Sequence, residues 1–136
     1  MPHPIPVIGA VILDNLGRVL LGKRLKDPGS LTWALPGGKM ELMESFEECL
    51  QREVLEETGL EVLLKELVSI SSETLDEFHG INIGFTAEII RGKPEVKEKD
   101  KCEMWDWFPL DELPEPLLPF SETIIENYKN GTIYNP

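Results

Sequence analysis

Between Arg52 and Leu60 the chain reads REVLEETGL, three carboxylates and one arginine in nine residues, with a glycine before the end. Acids gathered this closely either solvate a surface or grip a cation, and their position around a helix decides between the two. With Glu53 at zero and about 100° per residue, Cys49 falls near −40°, Phe46 near +20°, Leu50 near +60° and Val54 near +100°. On the same wheel Glu56 falls at about −60° and Glu57 at about +40°. The three acids therefore continue the apolar stripe expected to meet a sheet, and Glu47, Glu48 and Gln51 occupy the opposite side. Carboxylates on a partly buried arc repel one another and are driven to take up protons. The helix dipole near a C-terminus opposes them as well. A divalent cation removes these costs, and hard oxygen ligands at this density suit Mg²⁺ or Mn²⁺. The residues alone predict a divalent metal site near the end of a helix.

The elements that must position this site are legible around it. Ser45 is a good N-cap, Glu48 three residues later completes a capping box, and Gly59 closes the helix. Before the helix, PVIGAVILD and RVLLGKR are apolar, β-branched-rich runs around the turn NLG, which predicts a hairpin. The stretch from Lys26 to Glu44 is rich in glycine and proline and reads as loop with one short strand at most. After the helix, EVLLKELVSISSETL and GINIGFTAEII predict two strands, RGKPEVKEKDK a charged loop and CEMWDWFPL a further strand. DELPEPLLP holds too many prolines for a helix interior, and SETIIENYKNG predicts a short amphipathic helix. Strands interleaved with helices in one short chain predict an α/β fold, a mixed sheet covered on both faces.

Composition sets the outer limits. The 136 residues fit a single domain spanning positions 1–136, large enough to remove about two-thirds of the unfolded surface from water. A formal net charge of −12 argues against a nucleic-acid duplex or an anionic membrane as partner, while leaving room for a small anionic substrate beside metal ions. Two cysteines, Cys49 and Cys102, are too few for a disulfide framework, so the expected compartment is reducing and cytoplasmic. The apolar run near the N-terminus is short, interrupted by prolines and without a basic flank, so neither a signal peptide nor a membrane span is expected. His3 and His79 are the only histidines, and nothing places either beside a nucleophile. Nor does any stretch match the twelve-residue loop of acidic Ca²⁺ sites.

Gly38, Glu44, Arg52, Glu53, Glu56, Glu57 and Gly59 stand at fixed spacings in GKMELMESFEECLQREVLEETGL. That stretch resembles the complete signature of the Nudix hydrolases, which cleave nucleoside diphosphates linked to another moiety. The signature covers about a sixth of the chain. VLLGKR and WALPGGK before it and KCEMWDWFPLDELP after it look like the nucleoside triphosphate branch of that family. The resemblance implies an α/β/α sandwich with a mixed central sheet and the signature loop-helix packed beside it. It implies metal binding by Glu53, Glu56 and Glu57 with the Gly38 carbonyl, and an orienting pair made by Arg52 and Glu44. A further acid from a distant loop, Glu98 ahead of Glu103, would complete the metal shell or act as base. Arg24 matches a phosphate-contacting position, and Lys39 is a second phosphate candidate. The proton acceptor remains open among Glu53, Glu56 and Glu98.

The implied reaction is attack of water on phosphorus, splitting a pyrophosphate link, which needs positioning and charge neutralisation above all. The proline typical of ADP-ribose hydrolases and the SQPWPxxS motif of NADH hydrolases are both absent. A nucleoside triphosphate is thus the expected substrate; a nucleotide-sugar or other NDP-X hydrolase, or a non-catalytic nucleotide sensor, is the alternative. Monomer and homodimer both remain open. Relatives commonly carry glycine at Met43, so a left-handed backbone there would cost about 1–2 kcal/mol. Trp105 and Trp107 share one strand face and are expected in the core, whereas Trp33 could wall the pocket or pack structurally.

Overall fold

The computed structural model of the protein describes residues 3–136. Seven strands and two helices follow one another as β1 (Ile5–Ile12), β2 (Val19–Arg24), β3 (Trp33–Ala34), β4 (Gly37–Lys39), α1 (Phe46–Thr58), β5 (Glu61–Leu75), β6 (Phe78–Arg91), β7 (Cys102–Phe108) and α2 (Pro119–Asn130). A mixed four-stranded sheet runs β4-β1-β6-β5, with β1 parallel to β6 and antiparallel to β4. A three-stranded antiparallel sheet runs β3-β2-β7.

Strand alternation separates two cores. Ile8, Ala10 and Ile12 of β1, with Ile83 and Phe85 of β6, pack on Cys49, Leu50 and Val54 of α1. Val11 of β1 instead joins Ile124 and Ile125 of α2, on the other face. The helices thus cover opposite sides of the mixed sheet, the α/β/α arrangement that the resemblance implies. Cys49 and Cys102 are both free thiols. No helix among the described residues is long and apolar enough to cross a membrane.

Two local expectations are overturned. The turn between β1 and β2 closes as predicted, with Asp14 N–H donating to Arg18 O at 2.9 Å and a single bridge from Leu13 to Val19. Beyond that bridge the strands part into different sheets instead of forming a hairpin. Both are unbroken buried runs, so each takes partners on both edges, β4 and β6 for β1, β3 and β7 for β2. The loop before α1 holds two short strands, not one. The caps of α1 match their sequence signals: Ser45 Oγ accepts from Glu48 N–H at 3.1 Å, Glu48 Oε1 accepts from Ser45 N–H at 2.9 Å, and Gly59 sits at φ 80°. Helix α2 starts two residues earlier than Ser121, because Pro119 has a fixed φ suited to the first turn and no N–H to leave unpaired.

Candidate active site

Arg52 joins the parts of the site. Its Nε and Nη2 donate to the two carboxylate oxygens of Glu44 at 2.5 and 3.0 Å, a bidentate pair. Nη1 reaches Glu53 Oε1 at 2.7 Å and Glu56 Oε1 at 3.1 Å, and Nη2 also donates to the Lys39 carbonyl at 3.1 Å. One guanidinium thereby fixes β4, the loop before α1 and two acids of α1. Hydrogen bonding from Arg52 holds the Glu44 carboxyl down at about 2. Arg52 in turn is held above its ordinary value, chiefly by Glu44. The simple i,i+4 pair of Arg52 with Glu56 is present, but as one contact within this wider set. The loop gains its path at Met43, whose φ is 73°, the left-handed conformation that the sequence raised as a cost.

Glu57 and Glu53 are partly buried and Glu56 is exposed. The arc of Cys49, Leu50 and Val54 centres near +40° on the wheel, about where Glu57 lies and within about 40° of Glu53, whereas Glu56 stands roughly 100° away. Glu56 therefore faces outward at the rim with its carboxylate on Arg52, which corrects the expectation that all three acids share the core-facing stripe. Phe46 is likewise half exposed, although its ring still meets Phe85 with centres 5.6 Å apart.

Burial pushes the Glu57 carboxyl up to about 8, against the Gly37 N–H that donates to its Oε1 at 2.8 Å; the charges of Glu53 and Glu98 add to the rise. Burial also raises Glu53, opposed by Arg52 and reinforced by Glu56 and Glu98. β4 can lie this close because it is glycine. A Cβ on Gly38 would strike the Glu53 carboxylate, and one on Gly37, at φ 151°, would strike the Ile8 carbonyl.

The charged loop after β6 is fastened to the end of α1. Glu95 N–H donates to Thr58 O at 2.8 Å and Lys97 N–H to Glu57 O at 3.4 Å, while Trp105 Nε1 donates to Glu57 O at 3.2 Å. These bonds set Glu98 on the wall of a cavity of about 360 Å³, together with Glu57, Gly38, Arg24 and Lys39. Glu103 is exposed and outside that wall. Arg24 is half buried, and desolvation lowers its pKa while Glu57 raises it; its Nε donates to the Pro28 carbonyl at 3.1 Å. Lys39 Nζ stands 5.4 Å from the Phe78 ring centre. Trp105 both packs on the core and lines the cavity, whereas Trp33 packs edge-on against Phe108 with ring centres 5.0 Å apart.

The donor set fits a hard divalent cation. Among the described residues Glu57 receives one hydrogen bond, from Gly37, and no ion pair, although it is buried among like charges. The Glu98 charge raises the proton affinity of both Glu53 and Glu57, and Glu53 adds to that of Glu57, a repulsion that an inserted cation reverses. No three acid, histidine or cysteine side chains among the described residues already form a closed cage, so the fit is one of oxygen chemistry and shared space.

The sequence missed the far wall of the cavity: Asn82 of β6, Leu118 beside α2, and Phe120, Ser121 and Ile124 of α2. Asn82 left a faint signal, an amide in the middle of the apolar alternation INIGF. The α2 residues left none, since their pattern is that of any packed helix.

A profile described as NUDIX domain matches residues 3–128. An ADP-ribose pyrophosphatase of Methanocaldococcus jannaschii is 40% identical over 136 residues, covering 95% of this chain and 77% of that protein. An oxidized purine nucleoside triphosphate hydrolase of Danio rerio is 32% identical over 106 residues, covering 76% and 66% respectively. Among solved structures, a MutT NUDIX hydrolase from Burkholderia pseudomallei superposes with a TM-score of 0.79 at 32% identity, covering 92% of this chain and 98% of that one. Signature, fold and relatives agree across nearly the whole length, and the chain belongs to the Nudix hydrolases.

Proposed function

We propose that this hydrolase splits the pyrophosphate linkage of a nucleoside triphosphate with Mg²⁺, or Mn²⁺ in its place. The observation that carries the reading is the facing of Glu57 and Glu98 by cations across one cavity, with the Glu53 carboxylate beside Gly38 at its wall. Arg24, Lys26, Lys39 and Lys101 line it against Asp27, Glu57 and Glu98, a positive balance in a chain whose net charge is −12. The more negative a substrate is, the more it gains from that local inversion.

Glu53, Glu57 and Glu98, with the Gly38 carbonyl and Glu56 at the rim, would hold the metal. When bound, it would neutralise phosphate charge and lower the pKa of its water. Arg52 and Glu44 keep Glu53 and Glu56 in place, and Arg24 and Lys39 bind and orient the phosphates. Among the three candidate bases Glu98 makes no contact with Arg52. Its Oε1 takes the proton of the attacking water, while its Oε2 lies 3.5 Å from Lys101 Nζ. The apolar walls exclude solvent from the base and sugar.

The identity of 40% to an ADP-ribose pyrophosphatase favours a second reading, a nucleoside diphosphate derivative such as ADP-ribose. A panel of nucleoside triphosphates, ADP-ribose, nucleotide sugars and dinucleoside polyphosphates, assayed with Mg²⁺ and product analysis, separates the two. The first reading expects pyrophosphate or phosphate release from a triphosphate, greatly reduced by Glu53→Gln or Glu57→Gln. Turnover of ADP-ribose alone selects the second reading. Tight binding without turnover anywhere in the panel overturns both in favour of a sensor.

A further inference from the structure

Asn82 is 1% exposed, on the α2-facing side of β6. Its neighbours on that face are Gly80 and Gly84, two residues either side, so no adjacent side chain of the strand covers its amide. Nδ2 donates to Glu73 Oε2 at 2.9 Å, to the Phe120 carbonyl at 2.9 Å and to Ser71 Oγ at 3.2 Å. A carboxylate and a main-chain carbonyl can only accept, so the amide cannot be turned over: nitrogen faces them and oxygen faces away. No donor among the described residues reaches Oδ1. Yet no sealed side-chain nitrogen or oxygen among those residues lacks a partner, so Oδ1 is not sealed, and Asn82 lines the cavity. Beside it, Ser121 Oγ accepts from Leu35 N–H at 2.9 Å and donates to nothing among the described residues, which leaves its hydroxyl hydrogen free at the same wall.

An immobilised acceptor next to a free donor, between the apolar walls of Phe120 and Ile124, is the complement of a nucleobase edge. We propose that Asn82 is a specificity-determining residue: its Oδ1 accepts a hydrogen bond from a ring or amino N–H of the substrate base, and the Ser121 hydroxyl donates to the adjacent ring nitrogen or carbonyl. Glu73 is a positioning residue. Its Oε2 holds the amide, and its Oε1 accepts from Thr123 Oγ1 at 2.9 Å, tying β5 to α2. This inference rests on the nucleotide reading above and adds which part of the nucleotide is read, and where.

The test uses the full chain and nucleoside triphosphates in pairs, each parent against an analogue whose base-edge N–H groups are replaced by N-methyl, for instance CTP against N4,N4-dimethyl-CTP and GTP against N1-methyl-GTP. For the preferred base, the wild-type protein should lose about 10- to 1,000-fold in kcat/KM on methylation, as expected when a buried acceptor goes unpaired. In Asn82→Leu that ratio should fall to within about threefold, mainly through a raised KM for the parent, as a buried site without its acceptor no longer distinguishes the two. Leucine is larger than asparagine, so the convergence cannot come from extra room. Glu73→Gln should relax the ratio partway, because a glutamine can donate as well as accept. Equal rates for every parent and its methylated partner in the wild type overturn the proposal, and so does an unchanged ratio in folded Asn82→Leu. The wild-type pairs decide the matter even where the leucine variant does not fold. Turnover without base discrimination refutes this inference alone, whereas no turnover or binding of any nucleotide removes the functional reading beneath it.

Discussion

Glu57 allows the most demanding test of the metal-site argument. Its carboxyl ionises near 4.5 in the unfolded chain and is pushed up to about 8 in the fold. Between those values the folded state holds a proton that the unfolded state has released, so stability must fall as pH rises. The stabilisation is complete below pH 4.5 and gone above 8. Each pKa unit corresponds to about 1.4 kcal/mol, which puts the whole effect on the order of 5 kcal/mol in the metal-free protein. For a domain of this size that is a fall in Tm on the order of 15 °C. The assay is a series of thermal melts in chelator at pH 5, 6.5 and 8, on wild type and Glu57→Gln. The variant, which cannot ionise at that position, should show a much shallower slope over the same window. Saturating Mg²⁺ should restore the wild type at pH 8, since a ligand that binds only the folded state stabilises it. Parallel melting curves for wild type and Glu57→Gln would refute the claim that this carboxyl is held buried beside like charges, awaiting a cation.

Arg52→Ala removes the contacts to Glu44, Glu53, Glu56 and the Lys39 carbonyl, and should lower kcat about 10- to 100-fold, as loss of a ligand-orienting partner does. Arg52→Lys should recover little of it in steady-state kinetics, because an ammonium cannot reproduce the bidentate pair with Glu44. Gly38→Ala sets a methyl group into the Glu53 carboxylate and should weaken metal binding at least tenfold, read by Mg²⁺ titration of activity. Met43→Gly should raise stability by about 1 kcal/mol in denaturant melts with activity retained, because the residue is exposed and its φ of 73° costs an L side chain that much.

Local rules made much of this molecule readable from its sequence. Ser45, Glu48 and Gly59 bounded α1 because caps depend on neighbours a few residues away. The helical wheel placed Glu53 and Glu57 correctly for the same reason, and misjudged Glu56 because the angle at which a helix meets its sheet depends on partners remote in sequence. β1 and β2 were read as a hairpin since the turn between them is real; which strands take their other edges is settled by distant segments. The bonds from Glu95, Lys97 and Trp105 to the end of α1, which set Glu98 on the cavity wall, span more than thirty-five residues of chain, and no local pattern encodes them. The roof of the cavity was illegible because α2 reaches it only through the folded sheet.

Gly9 and Gly84 sit side by side on β1 and β6, and the Ile124 side chain rests on both. A Cβ would come within 2.8 Å of it at Gly9 and 2.5 Å at Gly84. Bulk added at either glycine would lift α2 and carry Phe120 and Ser121 outward with it, widening the space for a base while leaving the acids of α1 held by Arg52 and β4. Descendants of this fold could thus shift their diet by changing two small residues that meet neither metal nor phosphate.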